Sequence, residues 1–311
     1  MEKKFDCKDG NPFIKHLYTA DPSAHVWADG RLYVYPSQDI DPPRGCDLMD
    51  KYHVFSTDDL VNWVDHGEIF SSQDVPWGRP EGGFMWAPDC MFHKGKYYYY
   101  FPHPSDTKWN DSWKIGVAVS DRPASDFKVL KDTMPGLGGF GMIDPAVFKD
   151  DDGTVWFVYG GAGRCLIGKL KDNMVEIDGE MTEITSQLED YHEGPMLFKR
   201  KGVYYMMYPD NYVDISKDPD GAEKRRGANR MHYAMAKHPL GPWMRKGIML
   251  GSTDCDTTHG SVVEFKGQWY LFYHNSVLSG NGCLRSCCFD KVFFNEDGAI
   301  QLVKQTGRLK H

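Results

Sequence analysis

Three carboxylates stand at the head of apolar, strand-like runs: Asp21 in TADPSAHVW, Asp144 in MIDPAVFKD and Glu193 in DYHEGPMLFKR. Aspartate before proline is a common turn residue, so either Asp taken singly reads as structural. Glu193 has no such turn chemistry, and the Gly-Pro after it leaves little nearby to pair with its charge. Carboxylates brought together repel one another and lose solvation, which raises the pKa of at least one. A fold does not gather them for stability, so a shared location would point to function. Glycoside hydrolysis uses such a set: one carboxylic acid protonates the leaving oxygen, and one carboxylate activates water or attacks the sugar. A third carboxylate near the acid raises its pKa and keeps it protonated near neutral pH.

Whether the three can meet depends on the elements that carry them. Five segments repeat one pattern of apolar run, tight polar turn with Gly, and aromatic-rich run: AHVWADGRLYVYPS, CMFHKGKYYYYFPH, AVFKDDDGTVWFVYGG, MLFKRKGVYYMMYPD and VVEFKGQWYLFYHNS. Each reads as a β-hairpin. Further strand candidates lie between them, as in YHVFSTDDLVNW and RMHYAMAKHPLGPW, and no amphipathic helix longer than two turns is evident. Five units of about four strands predict an all-β, five-bladed β-propeller spanning residues 1–311 as one domain. A pair of β-sandwiches is the alternative that the fivefold repetition disfavours.

Counted back from the turn glycines, Asp21, Trp86, Asp144 and Glu193 each lie nine positions before Gly30, Gly95, Gly153 and Gly202, and His259 lies eight before Gly267. Equivalent positions in successive blades converge on the propeller axis at one end. The alignment therefore predicts that Asp21, Trp86, Asp144, Glu193 and His259 face one space. Trp86 can offer a flat face to the apolar side of a sugar ring, with core packing as the competing reading. His259 can hold a water or a hard cation such as Ca2+ near the channel centre. His25, His103 and His274 are candidates for pocket edges. The run Asp150, Asp151, Asp152 resembles a cation site on paper but reads as a solvated outer turn.

The chain has 311 residues and a formal net charge of −8, which argues against nucleic-acid or anionic-membrane partners. No apolar stretch approaches a membrane span. The charged N-terminus MEKKFDCKDGNPFIKH lacks the apolar segment of a signal peptide, and the eight cysteines show no regular spacing. Reduced, packed thiols and a cytoplasmic location are expected.

Taken in order, ADPSAHVW, MWAPDC, MIDPAVF, HEGPMLF and THGSVVEF resemble the blade motifs of glycoside hydrolase family 43 across nearly the whole chain. The resemblance implies a five-bladed propeller and hydrolysis with inversion of anomeric configuration. It implies that Asp21 is the general base, Glu193 the general acid, and Asp144 the residue that tunes and orients that acid. By the same resemblance, His259 contacts a central Ca2+ or its water shell, Trp86 belongs to an aromatic wall, and Arg285 in GCLRSCC lies near the sugar hydroxyls. No organic cofactor is implied, and the partners would be hemicellulose-derived oligosaccharides. Long members of the family resembling β-xylosidases carry a C-terminal β-sandwich for which this chain has no room. An exo-acting α-L-arabinofuranosidase releasing arabinose from arabinoxylo-oligosaccharides is therefore expected, with the polar stretch 216–230 at the rim of the site. A β-D-xylosidase, or both activities, and a glycan-binding propeller without catalysis are the alternatives.

Overall fold

The computed structural model describes residues 2–41, 48–106, 112–210 and 229–307. Most of the 216–230 stretch thus lies outside the described residues; Asn229 and Arg230 belong to them. Among the described residues the strands form five antiparallel sheets, the blades of a five-bladed β-propeller. Blade 1 runs from the outside inward as β1 (Lys3–Asp6), β5 (Asn62–Ser71), β4 (Lys51–Thr57), β3 (Leu32–Asp39) and β2 (Tyr18–Val26). Blade 2 holds β6 (Asp89–His93), β7 (Lys96–Pro104), β8 (Trp113–Ser120) and β9 (Lys128–Val129). Blade 3 holds β10 (Ala146–Lys149), β11 (Val155–Tyr159), β12 (Leu166–Leu170) and β13 (Ile177–Glu183). Blade 4 holds β14 (Met196–Arg200), β15 (Val203–Pro209), β16 (Met231–Ala236) and β17 (Met244–Leu250). Blade 5 holds β18 (Gly260–Phe265), β19 (Gln268–Asn275) and β20 (Ser286–Val292). The innermost strands β2, β6, β10, β14 and β18 touch in a closed ring.

Turn chemistry explains the hairpins at the inner edge. Lys94-Gly95, Lys201-Gly202 and Lys266-Gly267 each link two strands as a two-residue connection. Both residues of every pair have positive φ, between 45° and 85°. Such turns match the right-handed twist of the strands they join, and glycine takes the second position without steric cost. Blades 1 and 3 instead use five-residue connections, residues 27–31 and 150–154.

Aromatic side chains fill the wedges between blades. Tyr35 and Tyr52 of blade 1 meet Tyr99 and Phe101 of blade 2, with ring centroids 5.1–6.2 Å apart and tilted or edge-on. Those geometries suit the ring quadrupoles. Blades 3 and 4 are joined on their outer turn by Asp150, which departs from the solvated-loop expectation. Its carboxylate accepts from Lys199 Nζ and from Tyr204 Oη, both at 2.6 Å, and it is nearly buried. The acidic run therefore supplies an interblade ion pair, because β14 presents a lysine opposite it.

The ring is closed by residues that precede the first inner strand and by its first residues. Blade 5 has three strands of its own, and the segment 11–19 lies along β20 beside them. The amide of Phe13 donates to Cys287 O at 3.0 Å and that of Thr19 to Arg285 O at 2.8 Å. Asn11 completes the seam: its Nδ2 donates to Phe289 O at 2.7 Å and its Oδ1 accepts from the Phe289 amide at 3.0 Å. Asn11→Ala removes both bonds and leaves two backbone groups of β20 without partners. It should cost about 1–3 kcal/mol, read as a lowered urea midpoint with an unchanged m-value. An unshifted midpoint would mean that the seam adds nothing to stability.

Candidate active site

Asp144 and Glu193 sit just before the inner strands β10 and β14, and Asp21 sits at the bulge between Ala20 and Ser23 within β2. Asp21 and Asp144 have φ of 51° and 53°, and each precedes a proline. Gly194, also before a proline, has φ of 55°. One backbone conformation thus recurs in blades 1, 3 and 4. Aspartate is among the few non-glycine residues that enter the left-handed region readily, and strain of this kind concentrates at functional sites. The strand registers show that Gly194, and not Glu193, is the counterpart of Asp21 and Asp144. Ala87, Gly194 and His259 each lie eight residues before the glycine of a two-residue turn. Asp21 and Asp144 lie nine before theirs, because their connections are longer. The glycine count is therefore one residue out for Trp86 and Glu193. At Gly194 a Cβ would fall 2.5 Å from His259 Cδ2, so that position admits no side chain. The carboxylate of blade 4 comes instead from the preceding residue, Glu193, and still reaches the same cavity.

Asp21 is held as an anion. Arg285 Nη1 donates to its Oδ1 at 3.0 Å and Ser37 Oγ to its Oδ2 at 2.5 Å. Burial is the largest single influence and would raise its pKa; the Arg285 guanidinium, the strongest of several opposing contacts that include the Ser37 hydroxyl, joins them in holding it below the ordinary 3.8. Arg285 is itself clamped by Asp39, which accepts from its backbone amide, Nε and Nη2 at 2.7–3.0 Å. Behind the base, the Asp21 amide donates to His274 Nδ1 at 3.0 Å, and His274 Nε2 lies 2.8 Å from Thr257 O. A ring nitrogen that accepts an amide proton carries none, so His274 is the neutral Nε2–H tautomer. Burial and Arg285 push its pKa down to about 4 in agreement.

Asp144 and Glu193 are held the opposite way. Burial and then the charges of Glu193 and Asp21 push Asp144 well above 3.8. Burial and the charge of Asp21 raise Glu193 to about 7. The two titrate as a pair, and the pair retains a proton near neutrality. The Gly194 amide donates to Asp144 Oδ2 at 3.1 Å, which favours the charge on Asp144 and the proton on Glu193.

These groups line a cavity of about 120 Å³ with Met49, Trp86, Ala87, Ile143, Thr257, His259 and Arg285. That is well below the roughly 300–1,000 Å³ of drug- or cofactor-sized sites and close to the size of one sugar unit. Trp86 lies 4.5 Å from Trp113 between ring centroids and 5.6 Å from Phe84, forming one wall. Beneath the site the channel is crossed by hydrogen bonds between inner strands. Asp89 accepts from Ser23 Oγ at 2.5 Å and from the Val147 amide at 2.6 Å, and Ser261 Oγ donates to Pro22 O at 2.8 Å. The cavity is therefore blind.

His259 is buried in the wall, and neither ring nitrogen has a hydrogen-bond partner among the described residues. That suits a water or a hydrated cation. Among the described residues no three His, Cys, Asp or Glu side chains cluster closely enough to hold an ion by themselves, so water would complete the shell of any ion there. Of the three histidines expected at the pocket edges, only His274 adjoins the site. His25 lies at the far end of the channel, 2.6 Å from Asp89, and His103 packs edge-on against Trp77. Asp39, Ser37 and Thr257 were not legible as site residues. Asp39 and Thr257 lie beyond the repeated motif, Ser37 closes its first copy, and all three acquire their role through Arg285 and Asp21. The seven described cysteines are free, and six are buried.

A blind, sugar-sized cavity holding an ionised carboxylate and a protonated carboxyl pair, at the axis of a five-bladed propeller, defines a carboxylate glycosidase. The model of glycosyl hydrolases family 43 matches residues 10–300, and the chain belongs to that family. It is 33% identical over 318 residues to a xylosidase/arabinosidase of Bacteroides ovatus, covering 91% of this chain and 94% of that protein. It is 29% identical to a β-xylosidase of Xylanibacter ruminicola, covering 92% and 97%. Among solved structures it is similar to a family 43 β-xylosidase/α-arabinofuranosidase from a compost microbial metagenome, crystallised with xylotriose in a calcium-free form. The TM-score is 0.79 at 32% identity, with 93% and 95% of the two chains covered. Relatives named β-xylosidase thus match this chain over nearly their whole length. The expectation against xylosides therefore has no support from these relatives.

Arg285→Met removes the strongest of the contacts that oppose burial at Asp21. The Asp21 carboxyl should then titrate above the ordinary aspartate value, observed by ¹³C NMR of the side-chain carboxyl. The variant also strands Asp39, at a cost of about 3–5 kcal/mol, so the titration belongs well below its melting temperature. An Asp21 pKa that stays depressed would exclude Arg285 as the cause.

Proposed function

We propose that the protein is an inverting, exo-acting glycosidase that removes a terminal pentose, α-L-arabinofuranosyl or β-D-xylosyl, from short hemicellulose oligosaccharides inside the cell. The opposed protonation of Asp21 and Glu193 in one blind, sugar-sized cavity carries this reading. A terminal sugar enters the cavity and places its glycosidic oxygen toward Glu193, which donates its proton to the departing group. Asp21, ionised beside Arg285, takes a proton from the water that attacks the anomeric carbon from the opposite face. Asp144, oriented by the Gly194 amide that favours its charge, shares the retained proton with Glu193 and would tune that acid. Trp86 covers the apolar side of the ring, and Arg285 bonds a sugar hydroxyl. His259 would hold a water of a central Ca2+, whose charge would steady the carboxylates around it. The dual specificity is favoured by relatives that are named for both sugars.

With 4-nitrophenyl α-L-arabinofuranoside and 4-nitrophenyl β-D-xyloside assayed side by side, both should be cleaved, and NMR of the first-formed sugar should show the inverted anomer. A retained anomer would overturn the assignment of Asp21 as base. Asp21→Asn should lower kcat by about 10²–10⁴ on every substrate, the usual contribution of a positioned acid or base. Glu193→Gln should do so on oligosaccharides and far less on the nitrophenyl glycosides, whose leaving group needs little protonation. Equal losses on both would remove Glu193 as the acid. Because the acid must be protonated, kcat/KM on oligosaccharides should fall as pH rises through about 7, where Glu193 titrates. A flat profile through that range would contradict its role.

A further inference from the structure

His192 stands directly before the acid candidate, and the mechanism above does not use it. Its backbone is tied on both sides: the amide donates to Pro209 O at 3.2 Å, and the carbonyl accepts from the Gly163 amide at 2.9 Å. The ring is therefore carried at a set height above the end of blade 4. Its Nε2 lies 3.4 Å from Glu193 Oε2, its one ion contact among the described residues. The His192 side chain is 32% exposed, twice the 16% of Glu193, and it does not line the sugar-sized cavity. A ring that touches the acid's carboxyl from outside the cavity lies on the side where the leaving group must depart. Burial lowers the ring's pKa, so it faces that space as a neutral imidazole with one donor and one acceptor.

We propose that His192 is a leaving-group residue: it hydrogen-bonds a hydroxyl of the departing sugar and holds that sugar's glycosidic oxygen against Glu193. This rests on the glycosidase reading of the site. It gives the enzyme a preference for sugar over simple aryl leaving groups that the cavity itself, filled by the terminal unit, cannot supply. A site built to bond a hydroxyl discriminates far more strongly than an apolar one, because its polar group is left unpaired by the wrong ligand.

The test compares xylobiose with 4-nitrophenyl β-D-xyloside, which share the terminal sugar and differ in the leaving group. The arabinofuranosyl pair, an arabinosylated xylo-oligosaccharide and 4-nitrophenyl α-L-arabinofuranoside, serves in the same way if the wild type prefers it. His192→Phe keeps the ring's bulk and removes its polar atoms. It should lower kcat/KM on the oligosaccharide by about 10–100-fold, the range for a lost hydrogen bond to a buried or aligned partner, and leave the nitrophenyl glycoside within about threefold. His192→Gln, which restores a donor and an acceptor, should recover most of the loss and covers the case in which the phenylalanine variant does not fold. Equal losses on the two substrates, no loss on the oligosaccharide, or no recovery with glutamine would overturn the proposal. If the wild type cleaves neither pair, the glycosidase reading falls, and this inference with it.

Discussion

Arg285 joins the two tasks this molecule must perform. Its backbone carbonyl accepts from Thr19, which ties blade 5 to the segment leading into blade 1. Its side chain crosses the same seam to Asp39 and Asp21, both on blade 1. A buried guanidinium is costly unless its donors are matched, and two carboxylates with Thr257 match them. One buried cation therefore serves both the seam that closes the ring and the charge of the base candidate.

The division of charge across the cavity follows from that placement. Burial raises all three carboxyl groups, but among the described residues only Asp21 has an arginine or lysine in contact. Once Asp21 is ionised, its negative charge adds to burial at Asp144 and Glu193, and that pair retains a proton. A symmetric propeller axis would treat its carboxylates alike. Asymmetry enters through the single arginine on blade 5, and acid and base become different residues. His274 supports the arrangement from behind by accepting the Asp21 amide as a neutral ring, adding no charge of its own.

Backbone strain contributes the positioning. Asp21, Asp144 and Gly194 hold the same left-handed conformation before a proline, and it turns each chain into its inner strand. In two blades the strained residue carries the carboxylate. In the third, His259 occupies the space where a Cβ would go, so glycine is required and its neighbour supplies the acid. Glu193 consequently approaches from one residue farther out than the aspartates do. That position suits an acid that must reach a departing group at the mouth.

By itself the sequence determined the five-bladed architecture and the three carboxylates. Repeated hairpins with Gly turns encode the blades locally, and Asp-Pro and Glu-Gly-Pro mark where the inner strands begin. Only the tertiary structure decided the true register of Glu193. The five-residue connections in blades 1 and 3 shift their glycines by one place, and a count along the chain cannot separate connection length from strand position. Tertiary structure likewise recruited Asp39 and His274, set Asp150 against Lys199, and moved His25 and His103 away from the cavity. Partners such as Asp39 and Arg285 stand 246 residues apart along the chain. Their charge matters only once the ring has closed, because pairing across a seam depends on distance in space and leaves no periodic trace in sequence.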